Sequence, residues 1–309
     1  MSLANDVGTG LSQPEKKRPK HVNTTIRYFD DPGVPLSPRI IGGPGPLKLT
    51  PKVDSPVLVT DVTGQEDKYK LDVNGFQFVK HESRFTDKLA GLKSRYSVKD
   101  ELDETVRGHY AEMESLLREV LASTKYPQPS SVHIMTHIIR EGPKDGEPSR
   151  GPAGPLYGVH VDQSVWAARG VAERWLGDAA EELLAKPRYQ IINLWRPCKP
   201  ITRDPFAVTD AMTVPDDDIV TVPLVFPDHK AESLECRPAA DPEKPHRWYY
   251  KSEQQPDDVL LFIQVDSTKR VDMPRRCPHA AFKDPGLEEE KGEPRISIEV
   301  RAMVFYDED

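Results

Sequence analysis

Thirty prolines are spread over 309 residues, about twice the ~5% usage of ordinary proteins. Each fixes φ, removes a backbone donor and is poorly tolerated inside helices and central strands. Most fall in residues 34–56, 140–155, 197–245 and 274–294. A long helical bundle or a coiled coil is therefore excluded, and short elements joined by stiffened loops remain. Apolar residues at 37% leave enough Val, Ile and Leu for a core, and no period of 20–50 residues repeats, which sets aside solenoids and propellers.

Charge narrows the partners. Fifty carboxylates against 42 Lys plus Arg give a net charge of −8, the wrong sign for general binding to nucleic acid or an anionic membrane. No run of about 18 apolar residues offers a membrane span, and the N-terminus lacks the apolar stretch of a secretory signal. Three cysteines, Cys198, Cys236 and Cys277, include no pair at metal-ligand spacing and no disulfide framework. These features predict a cytoplasmic protein acting on a small molecule, with monomer and homodimer both open. Residues 1–22 read as a flexible tail and 23–309 as a single catalytic domain.

Two helices stand out. Ser97 and Asp100 form a candidate capping box before Val98, Leu102, Val106, Tyr110, Met113, Leu117 and Leu121, an apolar stripe at helical spacing that runs to Ala122. A second amphipathic segment spans roughly 165–185, with Val165, Ala168, Val171, Trp175, Ala179 and Leu183 on its predicted buried face. The remainder is strand-like: 132–139, 156–161, 189–195, 219–226, 259–265 and 296–305 are β-branched or aromatic runs between Pro-rich loops. Val57–Thr60 and Phe76–Val79 add two short β-type runs. Long irregular connections, rather than regularly alternating helices, predict a mainly β antiparallel sandwich or jelly roll with flanking helices. The polar stretch 227–257 reads as a covering loop, with Trp248, Tyr249 and Tyr250 facing either core or substrate.

Within the run Tyr157–Ser164, His160 and Asp162 are two residues apart and share one face of a strand. Such a pair arises by chance, but here it has company. Downstream lie Pro278-His279-Ala280-Ala281-Phe282 and a last strand, Arg295-Ile296-Ser297-Ile298-Glu299-Val300-Arg301. Two histidines and one carboxylate bind one face of an octahedral Fe(II), leaving positions for an oxo-acid and dioxygen, and an arginine fork suits the far carboxylate of such an acid. His133 and His137 also share a face but have no acidic residue between them, and His109, His21, His81, His229 and His246 read as solvated or half-buried.

The chain resembles the fungal gibberellin-desaturase-like and cephem-methoxylase-like hydroxylase/desaturase family of the Fe(II)/2-oxoglutarate-dependent dioxygenases. The resemblance rests on Thr25–Phe29, Leu71–Phe76, His160-Val161-Asp162, Asn193-Leu194-Trp195-Arg196-Pro197, Trp248–Tyr250, Asp258–Phe262, Pro278–Phe282 and Ile298–Arg301. It implies a cupin-like double-stranded β-helix, Fe(II) held by His160, Asp162 and His279, and 2-oxoglutarate and O2 as co-substrates. Arg295 with Ser297 resembles the Arg-x-Ser that binds the far carboxylate, and Arg301, on the same strand face, competes for that role. Asn193 and Arg196 are further candidates for contacts to the oxo-acid or substrate. The implied reaction is oxidation of a C–H bond of a small molecule in secondary-metabolite biosynthesis, by hydroxylation, desaturation or ring formation. A cupin-like metal oxygenase that needs no 2-oxoglutarate, or a non-catalytic binding protein on the same fold, remains as an alternative.

Overall fold

A computed structural model describes residues 21–34, 36–42, 50–144, 147, 153–287 and 292–309. Residues 1–20 of the expected tail lie outside the described residues, but its last two do not: strand β1 (His21–Phe29) already includes them, with Val22 buried. The other strands are β2 (Arg39–Ile40), β3 (Lys52–Asp61), β4 (Phe76–Lys80), β5 (Ser131–Glu141), β6 (His160–Val161) and β7 (Arg188–Pro197). They continue as β8 (Phe206–Thr209), β9 (Ile219–Val225), β10 (Lys230–Cys236), β11 (Trp248–Tyr250), β12 (Asp258–Asp266), β13 (His279–Ala281) and β14 (Ile296–Tyr306). Five α-helices are described, α1 (Leu71–Asn74), α2 (Thr86–Leu89), α3 (Glu104–Ala122), α4 (Val165–Leu176) and α5 (Ala180–Leu184), besides short 3-10 turns.

The strands form two sheets, ordered β1-β3-β11-β8-β13-β6-β10-β9-β2 and β4-β12-β7-β14-β5. This is the expected double-stranded β-helix, a mainly β, cupin-like jelly roll with flanking helices. Strand β7 is buried at all ten positions, because the jelly-roll interior covers one of its faces and α3 the other. The even positions of β14, Ile298, Val300, Ala302, Val304 and Tyr306, pack in one cluster with Met113, Leu117 and Leu121 of α3. Each such fully buried side chain contributes about 1.5–3 kcal/mol. By the period of two, the odd positions Ser297, Glu299 and Arg301 turn to the interior. The five-stranded sheet therefore has a greasy back against a helix, and its front carries polar side chains at Ser297, Glu299 and Arg301 before returning to buried Met303 and Phe305.

Several local expectations shift. Helix α3 starts at Glu104 rather than near Val98: Asp103 is its N-cap and accepts from the Val106 backbone N–H at 2.8 Å. Ser97 and Asp100 form a separate turn, in which the Asp100 carboxylate accepts from the Tyr96 and Ser97 amides. The second helical segment breaks at Gly177, whose φ is +56°, and the buried face of α4 is Ala167, Ala168, Val171 and Ala172, with Val165 exposed. The stretch 227–257 is not one loop. Strands β10 and β11 lie in it, and Trp248, Tyr249 and Tyr250 are buried, the Trp248 indole donating to the Tyr28 hydroxyl at 2.7 Å. Polar alternation such as Lys-Ala-Glu-Ser in β10 hides a strand whose Glu235 is met by Thr50 and Lys52 of the neighbouring segment. The expected strand 156–161 narrows to His160–Val161, with a single bridge from Gly158 to Arg27 before it. His109 is buried within α3, not solvated. Among the described residues no helix is long and apolar enough to cross a membrane.

Candidate metal centre

Strands β6 and β13 run antiparallel, and their register sets His160 directly opposite His279. Opposed residues on one face bring their side chains together, and the two imidazole centroids lie 4.4 Å apart. Asp162 follows β6, and its backbone N–H donates to the Gln264 side-chain carbonyl at 3.0 Å, which fixes the bend that turns the carboxylate back beside the rings. One potential ligand atom from each of His160, Asp162 and His279 lies within 4.8 Å of the other two. Among the described residues no other His, Cys, Asp or Glu cluster meets that criterion.

The hydrogen bonds prepare this cluster for a cation. Nδ1 of His160 sits 2.8 Å from the Gly158 carbonyl and Nδ1 of His279 sits 3.0 Å from the Cys277 carbonyl. A carbonyl only accepts, so both Nδ1 atoms carry the proton and both Nε2 lone pairs face the centre. Asp162 Oδ2 accepts from Asn193 Nδ2 at 3.2 Å and from an Arg301 terminal nitrogen at 2.8 Å. Its other oxygen, Oδ1, is left 3.6 Å from His160 Nε2. Burial pushes the Asp162 carboxyl up, but the charge of Arg301, the largest opposing influence, helps hold it below the usual carboxylate range. Burial also lowers both imidazoles, His279 to about 3, so they are neutral ligands at physiological pH. Two neutral imidazoles and one monodentate carboxylate fit a facial Fe(II) site. Phe206 and Phe262 wall His279, at ring distances of 5.5 and 4.8 Å, while the His160 and Asp162 side chains stay about 15% exposed and reachable.

Arg295 lies immediately before β14 and Ser297 is its second residue, on the interior face. The Arg295 guanidinium lies over Trp195 and Phe206, 5.5 and 5.8 Å from their ring centres, and one terminal nitrogen donates to the Asp204 carbonyl at 2.6 Å. Arg295 Nε and Ser297 Oγ are buried without a hydrogen-bond partner among the described residues. Burial lowers the guanidinium to about 10, so it remains charged at neutral pH. Unsatisfied buried donors carry a cost of about 1–3 kcal/mol each, which an anion would remove. Arg301, the competing candidate, is instead committed to Asp162. Arg196 does not reach the site: it is three residues from Asn193 and hence on the opposite face of β7, where its guanidinium donates to the backbone carbonyls of His81 and Pro256. His133 and His137 fall on different faces because the β5–β14 register shifts between them; His137 bonds Tyr110 and the Lys93 carbonyl.

Four residues escape a sequence reading. Gln264 and Glu299 share interior faces with recognised residues, and Arg140 lies opposite Ser297 in the β5–β14 register. Strand periodicity could have found these three. Glu299 is pushed up to about 7 by burial and by the charge of Asp162, while Arg140 acts against that rise and also bears on both histidines. Asp204, in an irregular loop, carries no such signal.

The chain matches the family described as Oxidoreductase/YMDC permease-like domain over residues 44–305. It is 33% identical to the hydroxylase/desaturase efuI of Hormonema carpetanum, over 93% of this chain and 96% of that protein. The chain belongs to the hydroxylase/desaturase family of Fe(II)/2-oxoglutarate-dependent dioxygenases. The hydroxylase/desaturase CTB9 of Cercospora beticola is 32% identical over 82% of this chain and 76% of its own. A solved structure, the iron and alpha-ketoglutarate-dependent endoperoxidase NvfI, superposes with a TM-score of 0.71 at 25% identity, covering 92% of this chain and 98% of that one. The hydroxylase/desaturase family uses Fe(II), 2-oxoglutarate and O2, and its members oxidise small molecules of fungal secondary metabolism.

Proposed function

We propose that His160, Asp162 and His279 hold Fe(II), and that Arg295 with Ser297 receives the far carboxylate of 2-oxoglutarate. The observation that carries this reading is the way hydrogen bonds have sorted the ligand atoms. Both Nδ1 positions and Asp162 Oδ2 are occupied, which leaves two Nε2 atoms and one Oδ1 converging on a single point. Bound there, the metal supplies the coupled chemistry of the class, in which O2 and 2-oxoglutarate yield succinate and carbon dioxide as a substrate C–H bond is oxidised.

The chain's own residues bind, orient and exclude. Gly158 and Cys277 fix the two tautomers, and Asn193 and Arg301 keep Asp162 ionised and monodentate. Arg295, stacked on Trp195 and Phe206, offers planar donors to a carboxylate, and Ser297 adds a hydroxyl. Phe206 and Phe262 deny water one side of the ligand cluster, which limits side reactions of an oxidising centre. Asn193 and Arg301 come from one sheet and the two histidines from the other, which supports a single catalytic domain, its first strand beginning at His21 rather than at residue 23. Three buried free cysteines are consistent with a reducing, cytoplasmic setting. The substrate is a small molecule, and hydroxylation, desaturation and ring closure share these residues.

Anaerobic titration tests the reading. Fe(II) followed by 2-oxoglutarate should produce a weak visible charge-transfer band, and its absence with iron bound would overturn the 2-oxoglutarate assignment. His279→Ala should lose iron binding by equilibrium dialysis; retained stoichiometric iron would overturn the ligand set.

A further inference from the structure

Asp204 has a backbone conformation uncommon outside glycine, though Asp and Asn enter it more readily than most residues. Its φ is +53°, in the left-handed region that non-glycine residues rarely occupy, and Pro205 follows it. Such strain persists only where the surroundings over-determine it, and it gathers at functional sites. Here the surroundings are specific. Asp204 is about 1% exposed, and its Oδ1 accepts from the Tyr157 hydroxyl at 2.5 Å and from the Lys283 ammonium at 2.5 Å. Tyr157 is three residues before His160, and Lys283 is four residues after His279. Both tethers thus come from the segments that carry the two histidines. The main-chain carbonyl of Asp204 accepts from Arg295 at 2.6 Å, and among the described residues no carboxylate is in ion-pair contact with that guanidinium.

We propose that Asp204 is the positioning residue for the co-substrate arginine: its anchored, strained backbone aims one carbonyl at Arg295 and ties that guanidinium to the His160 and His279 segments. The side chain acts through the backbone, since the Tyr157 and Lys283 contacts keep φ positive and φ sets where the carbonyl points. Its consequence is a fixed distance between the metal ligands and the carboxylate anchor. A fixed span selects the chain length of the oxo-diacid, favouring five carbons over six. This inference rests on the assignment of Arg295 made above.

The test compares equilibrium binding of 2-oxoglutarate and of 2-oxoadipate to the Fe(II)-loaded protein without oxygen, with KM and kcat as a second readout. Asp204→Ala should weaken 2-oxoglutarate binding about tenfold, equal to ~1.4 kcal/mol, while 2-oxoadipate changes less than threefold, iron stays stoichiometric and kcat at saturation stays within about twofold. Asp204→Asn, which tolerates the left-handed region and still accepts from Tyr157, should stay within about threefold of the native protein. Native-like discrimination in Asp204→Ala, or equal losses for both acids, would overturn the proposal. Where the alanine chain does not fold, Tyr157→Phe reads the same property: a rise of about threefold for 2-oxoglutarate alone supports the tether, and no change overturns it. Arg295→Ala separates the two levels. If it binds 2-oxoglutarate normally, the arginine assignment fails; if it loses binding while Asp204→Ala does not, only the positioning role fails.

Discussion

Arg301 within β14 and Arg295 immediately before its first residue stand six residues apart, yet their surroundings differ. Arg301 meets the Asp162 carboxylate at 2.8 Å and lies 3.7 Å from Glu299, so its charge has a direct acidic partner. Arg295 lies over two aromatic rings with one backbone carbonyl as its partner and a buried Nε without any. One arginine is committed to a carboxylate of the His160–Asp162–His279 cluster; the other keeps a buried guanidinium nitrogen without a partner among the described residues, which fits the anion-binding role proposed for it. Identical side chains six residues apart thus acquire different chemistry from what the opposite elements set against them.

The sharpest way to break that contrast is to truncate each arginine and read two affinities. Arg295→Ala should leave Fe(II) bound and weaken 2-oxoglutarate about 100-fold, as loss of a charge-assisted, bidentate contact does; calorimetric titration of the anaerobic iron form measures it. Arg301→Met should do the converse. Fe(II) affinity falls about 10–100-fold, in line with removal of a residue that orients a ligand, while 2-oxoglutarate affinity at saturating iron shifts less than threefold. Swapped outcomes would exchange the two roles. Ser297→Ala, removing one hydroxyl, should cost 2-oxoglutarate about threefold to tenfold and leave iron untouched.

A smaller effect contrasts the interior with the helical back of the same sheet. His109 in α3 is buried, 3.8 Å from Glu112, and burial lowers it to about 4 against an ordinary 6.5. Above pH 6.5 it is neutral whether the chain is folded or not. Between about 6.5 and 4 the unfolded chain binds a proton that the folded chain refuses, so stability falls as pH falls, by up to about 1.4 kcal/mol per unit. His109→Phe should flatten this part of the acid limb in urea melts between pH 7 and 5, and an unchanged slope would place the titration elsewhere.

Much of the site was legible because it lies on strands. Period-two counting puts His160 beside Asp162, and puts Ser297, Glu299 and Arg301 on one face. The same counting, applied to β7, separates Arg196 from Asn193 and would have removed Arg196 at the outset. Where the chain is irregular, spacing is silent. Asp204 depends on Tyr157, Lys283 and Arg295, all far away in sequence, whereas the start of α3 rests on a local choice between Ser97 and Asp103 as N-cap, and β10 looked like loop because its polar residues, such as Glu235, are met by Thr50 and Lys52.

The sequence by itself determined the architecture and the chemistry. Proline placement excluded long helices, alternation marked the strands that line the site, and the His-x-Asp pair with a distant histidine named the metal class. Tertiary structure alone decided the different partners of the two arginines, the tautomers of the two histidines and the contacts of Asp204. The physical reason is that residue type fixes which atoms can donate or accept, whereas the partner each atom meets is set by strand register between segments far apart in sequence, 139 residues in the case of Asp162 and Arg301.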